Sequence, residues 1–221
     1  MSAYEITLLI HIILFCYWLG GDVGVFYSSK FVVDPNRSQS GRLTAAKIML
    51  DCDLLPRICM SLTLTVGGLL SYQMGIQYEP WLLAAIILLG PMWLTMVLTL
   101  HLAHGAKFIP VLTRIDLYFR WALIAIIIGS CIYAYTSGRL AQAPWLIVKL
   151  LGFAFMVFCG LMIRLNMGGF INTYTKLLCN THTDEDNQAM ISSLNRMRPW
   201  VVTIWVVLVI EAGVGIAKPM F

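Results

Sequence analysis

Apolar side chains fill six long stretches of the chain, 4–28, 54–76, 81–104, 117–137, 144–166 and 199–218, and polar residues gather between them. About 20 consecutive apolar residues carry a helix across a bilayer, and each stretch reaches that length. The pattern predicts an all-α, polytopic transmembrane helix bundle of about six spanning helices, a single integral-membrane domain over residues 1–221. The first stretch reads as a spanning helix and not as a cleaved leader. It has no basic segment before it, exceeds the length of a leader's apolar core and shows no small-residue cleavage site.

The polar segments differ in charge. Lys30, Arg37, Arg42, Lys47 and Arg57 follow the first stretch, Lys107, Arg114 and Arg120 the third, and Lys176, Arg196 and Arg198 the fifth, whereas 77–80 and 138–143 hold only Arg139. Short basic loops stay on the cytoplasmic side. This predicts both termini outside and a multi-pass protein of the cell inner (cytoplasmic) membrane.

Composition agrees with that reading. Hydrophobic residues make up 59% of the chain and charged residues 12%, about half the charge of a soluble protein. The net charge of +4 is spread over several loops, with no basic face or aromatic platform, which excludes nucleic acid as a partner. Anionic lipid headgroups suit these loop cations instead. Cys16, Cys52, Cys59, Cys131, Cys159 and Cys179 form no CxxC pair and read as small buried hydrophobes rather than redox or metal groups.

A weak repeat runs through the middle of the chain. Asp53-Leu54-Leu55-Pro56-Arg57, with Gly67 beyond it, parallels Asp116-Leu117-Tyr118-Phe119-Arg120 with Gly129, and Pro80-Trp81-Leu82 parallels Pro144-Trp145-Leu146. The offset of 63 to 64 residues persists across two helices and both copies run in one direction. This predicts a duplicated helical hairpin after the first helix, not an inverted repeat.

Ionisable residues inside spanning helices are functional candidates by default. On the first helix His11, Phe15, Trp18 and Asp22 fall on one face. Gly20, Gly21 and Gly24 let another backbone, or a flat macrocycle, come close. Counting 1.5 Å of rise per residue from the nearest helix end places His11, Lys149 and Glu211 all roughly 8 to 10 Å below the outer surface. Three ionisable groups at one depth point to one site, although Lys149 can also snorkel outward and Glu211 can pair with it.

His101 and His104 share a face near the cytoplasmic end of the third helix, about 20 Å below His11. Metal–nitrogen bonds near 2 Å keep two axial nitrogens about 4 Å apart, so neither can join His11 on one iron. They are secondary metal candidates for a second centre. His182, in Thr181-His182-Thr183-Asp184-Glu185-Asp186-Asn187-Gln188, reads as solvated. Arg57, Arg120 and Arg164, at the cytoplasmic border, read as lipid-phosphate anchors that could also hold a propionate or substrate carboxylate.

These residues carry a resemblance. His11-Ile12-Ile13, Trp18, Gly20-Gly21 and Phe31-Val32 are similar to the first helix of the HemJ-type protoporphyrinogen oxidases and related CopD-like membrane proteins. Trp145-Leu146-Ile147-Val148-Lys149-Leu150 resembles the family's Trp-Leu-x-x-Lys-Leu helix start, and Asn195 to Pro199, the last helix and Lys218-Pro219 resemble its C-terminal helix. This chain has about two helices beyond the family's usual four. The resemblance implies haem b, with His11 as axial ligand and Lys149 as the second essential, catalytic group. Trp18, Gly21 and Glu211 then complete the candidate cofactor surroundings, with one haem expected and room for a second.

The leading expectation is therefore a b-type haem membrane protein in redox chemistry or electron transfer, an oxidoreductase if it acts as HemJ does. Its electron partner would be quinone, a porphyrin substrate, a redox partner subunit or a second copy of the chain. Copper handling is the alternative the CopD likeness allows, since Met and His bind copper and Met92 and Met96 share a helix with His101. The scarcity of extramembrane chain also suits a haem-bearing anchor subunit of a larger redox complex.

Overall fold

The structure, a computed structural model, describes residues 1–103 and 105–220. Among these residues it contains no strand and seven helices: α1 (Ala3–Val32), α2 (Gln39–Gln73), α3 (Pro80–Leu102), α4 (Ile109–Thr136), α5 (Trp145–Leu165), α6 (Gly168–Leu178) and α7 (Asp184–Ala217). All but α6 are long and apolar enough to cross a membrane. Ile12, Leu88, Ile126 and Val209 are among many large apolar side chains exposed along them, the outward face that lipid requires. The chain is an all-α, multi-pass membrane protein.

Three helices begin well before their apolar runs. α2 starts at Gln39 instead of 54, α4 at Ile109 instead of 117, and α7 at Asp184 instead of 199. The added turns are amphipathic: Arg42, Ala45, Ala46 and Met49 are buried on α2, and Asn187, Met190, Leu194 and Met197 on α7, the spacing of one helix face. Mean hydropathy misses such turns because half of each is polar. The 34 residues of α7 span about 51 Å, against about 30 Å of hydrocarbon, so its first turns extend beyond the apolar layer. α6, read from sequence as loop, is likewise amphipathic and buries Phe170, Thr173 and Leu177.

Local chemistry sets the helix ends. Thr183 caps α7 by a reciprocal box, accepting from the Asp186 N–H at 3.2 Å while the Asp186 carboxylate accepts from the Thr183 N–H at 3.0 Å. Asp184, Glu185 and Asp186 in the first turn also favour the positive end of the helix dipole. Pro80 opens α3, where its missing N–H costs nothing. Lys218 closes α7 in the left-handed conformation at φ 42°, and Pro219 prevents continuation.

The packing divides into two compact units, Met1–Tyr27 with Ile48–Arg114, and Ser28–Lys47 with Ile115–Phe221. In the first unit α1 and α2 run antiparallel along glycine contacts. Gly67 meets His11, Gly21 meets Pro56 and Gly24 meets Cys52, residue numbers rising on α1 as they fall on α2. α3 joins α2 through Thr65. Its hydroxyl accepts the Gly90 N–H at 2.9 Å and donates to the Ile86 carbonyl at 2.6 Å, standing between two groups that bond directly in an uninterrupted helix. Pro91 follows at once and has no N–H to offer the Ile87 carbonyl, so Thr65 and Pro91 fall at one turn of α3.

In the second unit α7 packs along α5 and α6. Thr173 donates to the Asp186 carbonyl at 2.8 Å and Ser193 to the Asn166 carbonyl at 2.5 Å. The first turns of α2 dock here as well: Gln39 donates to the Leu177 carbonyl at 2.6 Å. Arg42, almost wholly buried, donates to the Val32 carbonyl at 2.7 Å and to the Asn187 side chain at 2.6 Å.

Candidate functional site

His11 belongs to the first unit. Its ring edge, Cε1, lies 3.4 Å from where a Cβ on Gly67 would stand, so the imidazole is seated against bare α2 backbone. Leu14 and Trp18, the next residues down that face of α1, are both buried, Trp18 at 3% exposure. Gly21 meets the Pro56 ring: a Cβ there would come within 2.6 Å of Pro56 Cδ. Gly20 has nothing within 4 Å of the same position. Of these two neighbouring glycines, Gly21 packs helix on helix and Gly20 leaves open surface.

Lys149 and Glu211 come together in the second unit. Lys149 does not snorkel outward but crosses from α5 to α7, donating to the Glu211 carbonyl at 2.9 Å, with the Glu211 Oε2 at 3.9 Å. Two glycines make this geometry. The Glu211 carboxyl occupies the space a Cβ on Gly152 would need, and a Cβ on Gly215 would stand 3.1 Å from Lys149 Nζ. Sequence reading named the lysine and the glutamate but neither glycine. The available signal was that Gly215 lies one helical turn after Glu211 and Gly152 one turn after Lys149.

Asp53 pairs with Arg57 and Asp116 with Arg120, each across one helical turn. In the second copy Arg164, in the last turn of α5, joins Asp116. Arg120 and Arg164 therefore converge on a carboxylate that is 1% exposed, which corrects the expectation of both as lipid-phosphate anchors. Counting back 63 residues from Arg164 reaches His101, which likewise stands in the last turn of its helix, α3. The position that carries a permanent cation in one hairpin thus carries a histidine in the other. His104 lies outside the described residues.

His182 is corrected too. It is half-buried, with Nε2 3.4 Å from the Arg42 guanidinium, in the polar knot that Asn187 and the Val32 carbonyl complete. Arg42 itself was an expected loop cation. Its burial depends on the first turns of α7, whose polar half gives them the pattern of a loop.

Cys59, Cys131 and Cys159 are buried and all six cysteines are free thiols. Among the described residues no three or more His, Cys, Asp or Glu side chains gather in metal-binding geometry; a haem iron takes its protein ligands singly or in pairs. Comparison of the chain with known protein families, curated proteins and solved structures finds no match.

Proposed function

We propose that this chain is an inner-membrane b-type haem protein working in redox chemistry, with His11 as the axial ligand. The observation that supports it is the seating of His11. An imidazole within an apolar, membrane-length helix lies with its edge against the α2 backbone at Gly67. A histidine in hydrocarbon carries a cost that a bound metal centre would offset. Haem would supply one-electron transfer, its potential tuned by axial ligand and burial.

The chain's own residues take the remaining roles. α1 orients the imidazole, and Trp18 and Leu14 exclude water below it. Lys149, held on α7 by the Glu211 carbonyl, and the Glu211 carboxyl handle charge and protons for a quinone or porphyrin substrate. In this reading the basic ends of the helices face the cytoplasm and both termini lie outside.

Reduced-minus-oxidised spectra of purified protein, with the iron-to-protein ratio, test the proposal. One haem per chain is expected, with its Soret band shifted or lost in His11→Ala. Full haem occupancy with an unchanged Soret band in that variant sinks the ligation, and two irons per chain would bring in His101. Copper without haem in protein purified without added metal would replace this reading with copper handling.

A further inference from the structure

The α1–α2 hairpin holds a second ionisable group that the haem reading does not use. Asp22 follows Gly21, seated on Pro56, and lies half a turn before Gly24, whose Cβ position is 3.2 Å from Cys52 Sγ. Asp22 itself is half-buried. Its Oδ2 is shut off from solvent and accepts no hydrogen bond.

The surrounding charges do not balance. On α2, Asp53 lies between Cys52, which meets Gly24, and Pro56, which meets Gly21, and it is already paired with Arg57. Cys59 is another titratable group that α2 brings to Asp22, and Cys52 stands half a turn along α1, against Gly24. Two carboxylates therefore share one guanidinium, and that guanidinium sits on Asp53. An enclosed carboxylate with neither hydrogen-bond donor nor cation is strongly unfavourable. A proton supplies the missing positive charge and needs no space that two closely packed helices lack. A multidentate metal would need a ligand cluster, and none is present among the described residues.

We propose that the Asp22–Asp53 pair is a proton-binding site, with Asp22 the carboxyl that carries the exchangeable proton. The pair gives the α1–α2 hairpin a group able to take up or release a proton, whether or not a cofactor sits at His11.

Infrared spectra of the full-length protein in lipid nanodiscs at neutral pH test this. The expected result is a protonated-carboxyl C=O band that moves in D2O and on 13C-aspartate labelling and disappears in Asp22→Asn. Aspartate labelling separates the band from any contribution of Glu211. The labelled wild type carries the test alone if Asp22→Asn fails to fold, and a wild type without an aspartate-derived band overturns the proposal. So does an Asp22→Asn spectrum identical to wild type. Thermal unfolding in sodium chloride against choline chloride at equal ionic strength should show no preference. Sodium-specific stabilisation, lost in Asp22→Asn, would make this a sodium site and overturn the proton. Loss of haem at His11 leaves all these readouts intact.

Discussion

Lys149 Nζ bonds the backbone carbonyl of Glu211 at 2.9 Å and stands 3.9 Å from that residue's carboxylate. The lysine thus holds α7 by its backbone first and by its charge second. Gly215, one turn further along α7, allows the approach because no side chain covers that carbonyl. Gly152 on α5 makes the matching space for the carboxyl.

Gly152→Ala should therefore drive the Glu211 carboxyl out of its seat, with an overpacking cost of about 1 to 3 kcal/mol. Gly160→Ala, on the same helix with nothing within 4 Å of its Cβ position, should be neutral or stabilising by up to about 1 kcal/mol. Thermal unfolding in detergent or nanodiscs distinguishes them, and equal midpoints for both variants would contradict the α5–α7 contact.

The first hairpin makes the same kind of contrast between adjacent residues. Gly21→Ala places a methyl 2.6 Å from Pro56 Cδ and should lower stability by about 1 to 3 kcal/mol. Gly20→Ala meets nothing within 4 Å and should change it by less than about 1 kcal/mol. Denaturant midpoints of the two variants give the answer.

The two copies of the repeat should differ in sensitivity. Asp116→Asn removes a buried carboxylate from between Arg120 and Arg164 and should cost about 3 to 5 kcal/mol. Asp53→Asn breaks a pair whose arginine is 45% exposed and should cost under about 1 kcal/mol. Similar losses in both would mean that Arg164 adds nothing to the second copy.

Thr65→Val keeps the shape of a buried side chain and removes both of its bonds to α3. The expected loss is about 1 to 2 kcal/mol, read as a lower unfolding midpoint with altered amide exchange at Gly90. An unchanged Gly90 amide would show that the hydroxyl is not inserted in the α3 ladder.

The sequence by itself determined the membrane class and the number of spanning helices, because twenty apolar residues have few other physical uses. The pairs Asp53–Arg57 and Asp116–Arg120 were equally legible in the sequence, since an aspartate and an arginine one turn apart on a helix share a face. It could not show where α2, α4 and α7 begin, or that α6 exists, because amphipathic turns look like loop until a partner buries one side. Tertiary structure alone decided which polar groups meet. Lys149 finds the Glu211 carbonyl only because Gly215 leaves room for its ammonium and Gly152 for the Glu211 carboxyl. Arg164 reaches Asp116 only because α4 and α5 run antiparallel. Pro56 packs on Gly21 and not on Gly20, and such contacts depend on which glycine of several is met by a neighbour, which helical periodicity leaves open.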